Sequence, residues 1–152
     1  MWIRVFSATD VEIRPADLLE FLHRHGHEVA AHFCGDDQGW FSAELQLPGE
    51  ETSLEVQRYL VSEKGIRDEL NTWAAWLEMQ TSNKHRDDLM RRVVQSQQVF
   101  TICSPPEICG DSAADEVCRR TCAFLAQATA GIYQIDDQGF FAADGTHLVP
   151  EA

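Results

Sequence analysis

Positive charge is scarce in this chain relative to negative. Lys and Arg total 12 against 25 Asp and Glu, a net charge of −13. A surface of that sign opposes the phosphate neutralisation on which nucleic-acid binding depends, so DNA and RNA are excluded as expected partners. Long apolar runs are also missing. Nothing approaches the roughly 18 consecutive apolar residues of a membrane span. The opening "MWIRVFSATDVE" alternates and carries acids early, unlike the apolar core of a signal peptide, which points to a cytoplasmic protein away from membranes. Five cysteines, an odd number at irregular spacing, do not make a secreted disulfide framework and read as thiols. No G-x-S-x-G, P-loop, G-x-G-x-x-G or H-E-x-x-H pattern occurs, so the sequence supports no catalytic residue, no cofactor and no enzymatic assignment.

What is present is an ordered series of periodic segments. "WIRVFS" (2–7) alternates as a strand does. "RPADLLEFLHRHG" then puts Pro15 at a helix start, Leu18, Leu19, Phe21 and Leu22 on its apolar side, and Gly26 as its stop. "HEVAAHF" and "WFSAELQL" flank Gly35-Asp36-Asp37-Gln38-Gly39 with period two on both sides, which predicts a hairpin. "SLEVQRYLV" (53–61) predicts a further strand, 62–80 an amphipathic helix with Ile66, Leu70, Trp73 and Leu77 along one stripe, and 84–97 a second helix.

The last third repeats the order of the first. "QVFTICS" (98–104) is a strand, 111–129 a helix opened by Ser112 and Asp115 in capping-box spacing, and "GIYQI" and "FFAA" surround Asp136-Asp137-Gln138-Gly139. At an offset of 100, "CGDDQGWFSAE" meets "QIDDQGFFAAD" with parity preserved at each aligned pair. The expected fold is therefore α+β and one domain over 1–152. It is a mostly antiparallel sheet from two pseudo-symmetric βαββ units, about 1–47 and 98–145, with a strand and two extra helices over about 53–97 and helices chiefly on one face. This element order, carried by "WIRVFS…LLEFL…HEVAAHF-GDDQG-WFSAEL" and "QVFTICS…CAFLA…GIYQI-DDQG-FFAA", resembles the gyrase-inhibitor-like (GyrI-like) family. That resemblance implies a small-molecule-binding domain and carries no binding residue across.

Several residue groups invite chemistry. The Asp-Asp-Gln-Gly turns lack the later glutamate of a calcium loop and fit plain hairpin chemistry. In "HRHGH", His23 and His25 are two apart on a helix and His27 lies beyond its stop, so they do not converge on a metal. Cys103, Cys109, Cys118 and Cys122 follow no compact ligand spacing, and Cys118 and Cys122 share the apolar stripe with Leu125. Glu69 and Glu78 read as a solvated helix face.

The aromatic residues are the remaining feature. Phe41 and Phe141 share parity with Ala43, Ala143 and Phe33, which sends Trp40 and Phe140 to the opposite face beside His32 and Ile132. Either Trp73 and Trp76 cover that pair or it is open. The sequence thus points to a non-catalytic binding module for a hydrophobic or cationic small molecule at Trp40, Phe140, His32, Trp73 and Trp76. Two other readings remain open, an acidic inhibitor- or immunity-type protein with a basic partner, and a thiol or metal enzyme.

Overall fold

A computed structural model describes residues 1–151. The fold is α+β. Eight strands form one sheet in the order β2-β3-β4-β5-β1-β6-β7-β8, every neighbouring pair antiparallel. Along the chain come β1 (Trp2–Ser7), α1 (Pro15–Arg24), β2 (Ala30–Asp36), β3 (Gly39–Gln46), β4 (Ser53–Leu60), α2 (Ile66–Glu78), α3 (Arg86–Val94), β5 (Gln98–Cys103), α4 (Ser112–Ala128), β6 (Ile132–Ile135), β7 (Gly139–Ala142) and β8 (His147–Pro150). β8 was not expected from the sequence.

Alternation along the strands feeds two cores. On one face, Ile3, Val5, Val56, Phe100, Ile102 and Tyr133 pack under Leu18 and Leu22 of α1 and Val117, Cys118, Cys122 and Leu125 of α4. On the other, Phe6, Val99, Ile132, Phe140 and Val149 pack under Leu70 and Leu77 of α2 and Leu89 and Val93 of α3. The helices are thus divided two to each face rather than gathered on one. The amphipathic pattern of α2 and α3 shows that each buries a stripe but not which side of the sheet receives it.

Local signals are largely realised. Pro15 opens α1, and Gly26, at φ +85°, ends it. The start of α4 differs from the expected Ser112–Asp115 box. Asp111 is the cap, its Oδ1 accepting from the N–H groups of Ala113 and Ala114 at 2.9 and 3.0 Å. Both Asp-Asp-Gln-Gly segments do form hairpin turns, β2–β3 and β6–β7, with Gly39 and Gly139 at φ +104° and +107°. Their aspartates are used differently. Asp36 closes its own turn by accepting from the Gln38 N–H at 2.8 Å, whereas Asp136 accepts from Arg4 at 2.7 Å.

The two halves share an order of elements but not an order in space. From β1 the chain crosses under α1 to the far edge at β2, then returns inward through β3 and β4 to lie beside β5. From β5 it crosses under α4 only past β1 to β6, then proceeds outward to the edge at β8. A twofold axis between β1 and β5 would exchange β2 with β8 and β4 with β6, which reverses chain order. In the first half the hairpin reaches the edge first, and β4, connected through α2 and α3 to β5, lies beside it.

Candidate functional site

The proposed aromatic site is not assembled as one cluster. Phe140, Trp73 and Trp76 do meet. Phe140 is fully buried, 5.8 Å from the Trp73 ring and 5.7 Å from Trp76, with Phe6 stacked at 5.9 Å. Arg4 spans the rim, its guanidinium 4.9 Å over Trp73, paired to Asp136 at 2.7 Å and Glu69 at 3.3 Å and donating to Gln134. Glu69 also accepts from the Trp73 indole N–H at 3.1 Å, so it is engaged and not a free carboxylate beside Glu78.

Trp40 lies on the other face. It is 4% exposed, edge-on to Phe33 at 5.3 Å and tilted against Phe100 at 5.7 Å, and its indole N–H donates to the Ile13 carbonyl at 2.7 Å. The cause is a bulge. Gly35 pairs with Trp40 and Cys34 with Ser42, leaving Phe41 without a partner on β2. One extra residue inverts the alternation, buries Trp40 beside Ala43 and leaves Phe41 40% exposed. His32 is on the face opposite Phe33, exposed, with its Nε2 3.5 Å from the Cys34 sulfur.

The remaining candidates resolve into local bonds. His23 bonds the Val29 carbonyl, His25 the Phe21 carbonyl, and His27 approaches Glu116 at 3.7 Å. All five cysteines are free thiols, and Cys118 and Cys122 are buried. Burial pushes the Cys118 thiol up to about 12, with Asp115 adding to the shift, and raises Cys122 as well. A thiol held protonated is a poor nucleophile and a poor metal ligand. Among the described residues no three His, Cys, Asp or Glu side chains are grouped to hold a metal ion.

A feature outside those groups emerges from the two-sided packing. The core under α2 and α3 takes residues from β1, β5, β6, β7 and β8 and none from β2, β3 or β4. On those three strands the face turned away from α1 and α4 presents His32, Cys34, Ser42, Glu44, Glu55, Gln57 and Tyr59, half-exposed or exposed. Glu44 and Glu55 stand directly opposite each other across β3 and β4. Like charges in that position destabilise a sheet.

Residues 28–60 carry seven carboxylates and one cation, Arg58, and Arg58 cannot offset them at the surface. It is 5% exposed and faces the other core. Its Nε donates to Gln98 Oε1 at 2.7 Å, Nη1 to the Gln38 and Trp40 carbonyls at 3.1 Å each, and Nη2 to the Asp10 carbonyl at 3.3 Å. At the end of the same strands a 320 Å³ hollow is lined by Asp36, Phe41, Leu60 and Glu63, with Arg58 also on its wall. Sequence reasoning missed this arrangement. Its signal was the pattern Leu54, Val56, Arg58, which places the one cation of the segment on an apolar side.

No protein-family model matches this chain, and neither a curated protein nor a solved structure matches it. No residue is therefore assigned a role by comparison. No helix of the described residues is long and apolar enough to cross a membrane.

Proposed function

We propose that the protein is a non-catalytic interaction protein that captures a basic protein partner on the uncovered half of its sheet, in the cytoplasm where its thiols stay reduced. One observation carries this reading: the bare face of β2–β4 sets Glu44 against Glu55, while the one lysine or arginine of residues 28–60, Arg58, is buried and donates to backbone carbonyls. A cationic side chain delivered between two opposed carboxylates relieves their repulsion, so binding and folding draw on the same local strain. Exposed Phe41, beside Asp36 and Glu63, offers a ring over which an arginine or lysine can lie. Contact of Trp73 and Trp76 with the fully buried Phe140 supports this reading over a small-molecule site at the aromatic face.

The test uses a 20-residue poly-L-lysine as probe and compares two variants of equal charge change. Glu44→Gln with Glu55→Gln neutralises the bare face. Asp87→Asn with Asp88→Asn neutralises the start of α3 on the covered half. The first pair is expected to weaken binding about tenfold at low salt and to raise the urea midpoint slightly, the second to do neither. Equal losses from both pairs would mean that net charge alone attracts the probe, and the face would have no special role.

A further inference from the structure

We propose a second, separate site: a pocket for a small organic amine with an apolar body, at the junction of the α1–β2 loop, the end of β3 and the start of α4. It rests on a cavity of 320 Å³ whose floor is Val29, Leu47, Pro48 and Val117 and whose rim carries Glu28, Glu50 and Asp111.

The floor is built by the fold rather than by chance exposure. Val29, Leu47 and Val117 belong to the core under α1 and α4, at 4%, 5% and 0% exposure, and the pocket opens where α1 ends at Gly26 and the chain turns into β2. An apolar floor of this size with a few polar groups at its mouth is the ordinary make-up of a small-ligand site.

The sign of the ligand follows from the rim. No lysine or arginine lines the cavity, and the Glu28 and Glu50 side chains have no ion-pair partner among the described residues. The start of α4 would ordinarily invite an anion through its free N–H groups. Here Asp111 already occupies them, accepting from Ala113 and Ala114, and adds its own negative charge to the rim. His27 does not reverse the balance, since its Nε2 is turned into the protein toward Glu116. An ammonium group at the mouth over a phenyl or short alkyl body on the floor satisfies both halves of the pocket.

The experiment titrates phenethylammonium into the whole protein and follows backbone amide shifts by NMR, beside three comparators: 3-phenylpropanoate of similar shape and opposite charge, neutral 2-phenylethanol, and Nα-acetyl-lysine methylamide, which presents the same cation as a protein side chain would. Shifts are expected to centre on Val29, Leu47 and Val117, with phenethylammonium at least tenfold tighter than each comparator. Ala113→Trp, at an exposed rim position, fills the cavity from outside without touching the core and should abolish binding, and Glu28→Gln with Glu50→Gln should weaken it about tenfold. Equal affinity for the carboxylate, tighter binding of the lysine amide, shifts centred elsewhere, or no binding at millimolar amine would each overturn the proposal. Because Glu44 and Glu55 do not line this cavity, failure here leaves the poly-L-lysine result intact, and the reverse also holds.

Discussion

Replacing Trp40 by alanine tests the bulge that decides which face the indole occupies. The side chain is 4% exposed and packed between Phe33 and Phe100, and truncating such a residue costs about 3–5 kcal/mol through lost burial and the cavity left behind. The indole N–H also answers the Ile13 carbonyl at 2.7 Å, and leaving that acceptor unpaired adds about 1 kcal/mol or more. Against a total stability of about 5–15 kcal/mol for an ordinary domain, the variant should be marginal and could be largely unfolded at 37 °C. Trp40→Phe keeps most of the ring and loses the hydrogen bond, so its loss should be near 2 kcal/mol. Urea unfolding followed by far-ultraviolet circular dichroism reads both without relying on the deleted fluorophore, and the slope should match wild type if the change is in stability alone. A loss below about 1 kcal/mol for Trp40→Ala would show the indole at the surface, as unbroken alternation implies, and would refute the bulge as the cause of its burial.

Two further outcomes can be checked. Arg58→Met removes four donations, to Gln98 and Trp40 in buried bonds and to Gln38 and Asp10 in part-buried ones, and should cost about 3–5 kcal/mol, with Arg58→Lys recovering only part because an ammonium cannot span all four acceptors; a change under 1 kcal/mol in urea would contradict that role. Stability should also fall between pH 9 and 12. Burial keeps the Cys118 thiol protonated to about 12 while the unfolded thiol ionises near 9, so the folded state holds the extra proton and loses ground as pH rises through that window. Tyr133, raised to about 12 by burial, acts in the same direction. Urea midpoints at pH 8, 9.5 and 11 should decline, less steeply in Cys118→Ala, and a thiol reagent should label Cys118 and Cys122 only on unfolding; a flat profile or rapid native labelling would be the contrary result.

Much of the fold was legible in the sequence, and the misses have identifiable causes. β1 to β7 and the four helices were written in period-two and helical alternation because each buries one face against a core. β8, a strand of four residues that begins two positions after Gly145, is too short to show a period. Strand order was hidden because βαββ specifies local connection and not whether the next hairpin runs inward or outward. The candidate site fared worse for the same reason at finer scale. Phe140, Trp73 and Trp76 are in contact, but the inference for Trp40 depended on counting residues across a bulge that only the pairing of Gly35 with Trp40 and Cys34 with Ser42 reveals. The acidic face could not be seen without knowing that α2 and α3 cover β6 to β8 and leave β2 to β4 bare.

The central strand pair also sets a timetable for synthesis. β1, made before the other seven strands, finds one neighbour in β5, where Trp2 faces Cys103, and the other in β6, where Ile3 faces Ile135. The hairpins β2–β3 and β3–β4 can close as soon as residue 60 emerges, since their partners are adjacent in sequence. Ile3, Val5 and Phe6 have no such recourse. At about 5–20 residues per second, the ribosome needs several more seconds to deliver the strand that covers them. Throughout that interval the nascent chain carries a finished acidic meander at one end of an unfilled gap and an apolar strand with nothing to pair with, the kind of segment that chaperones are built to hold.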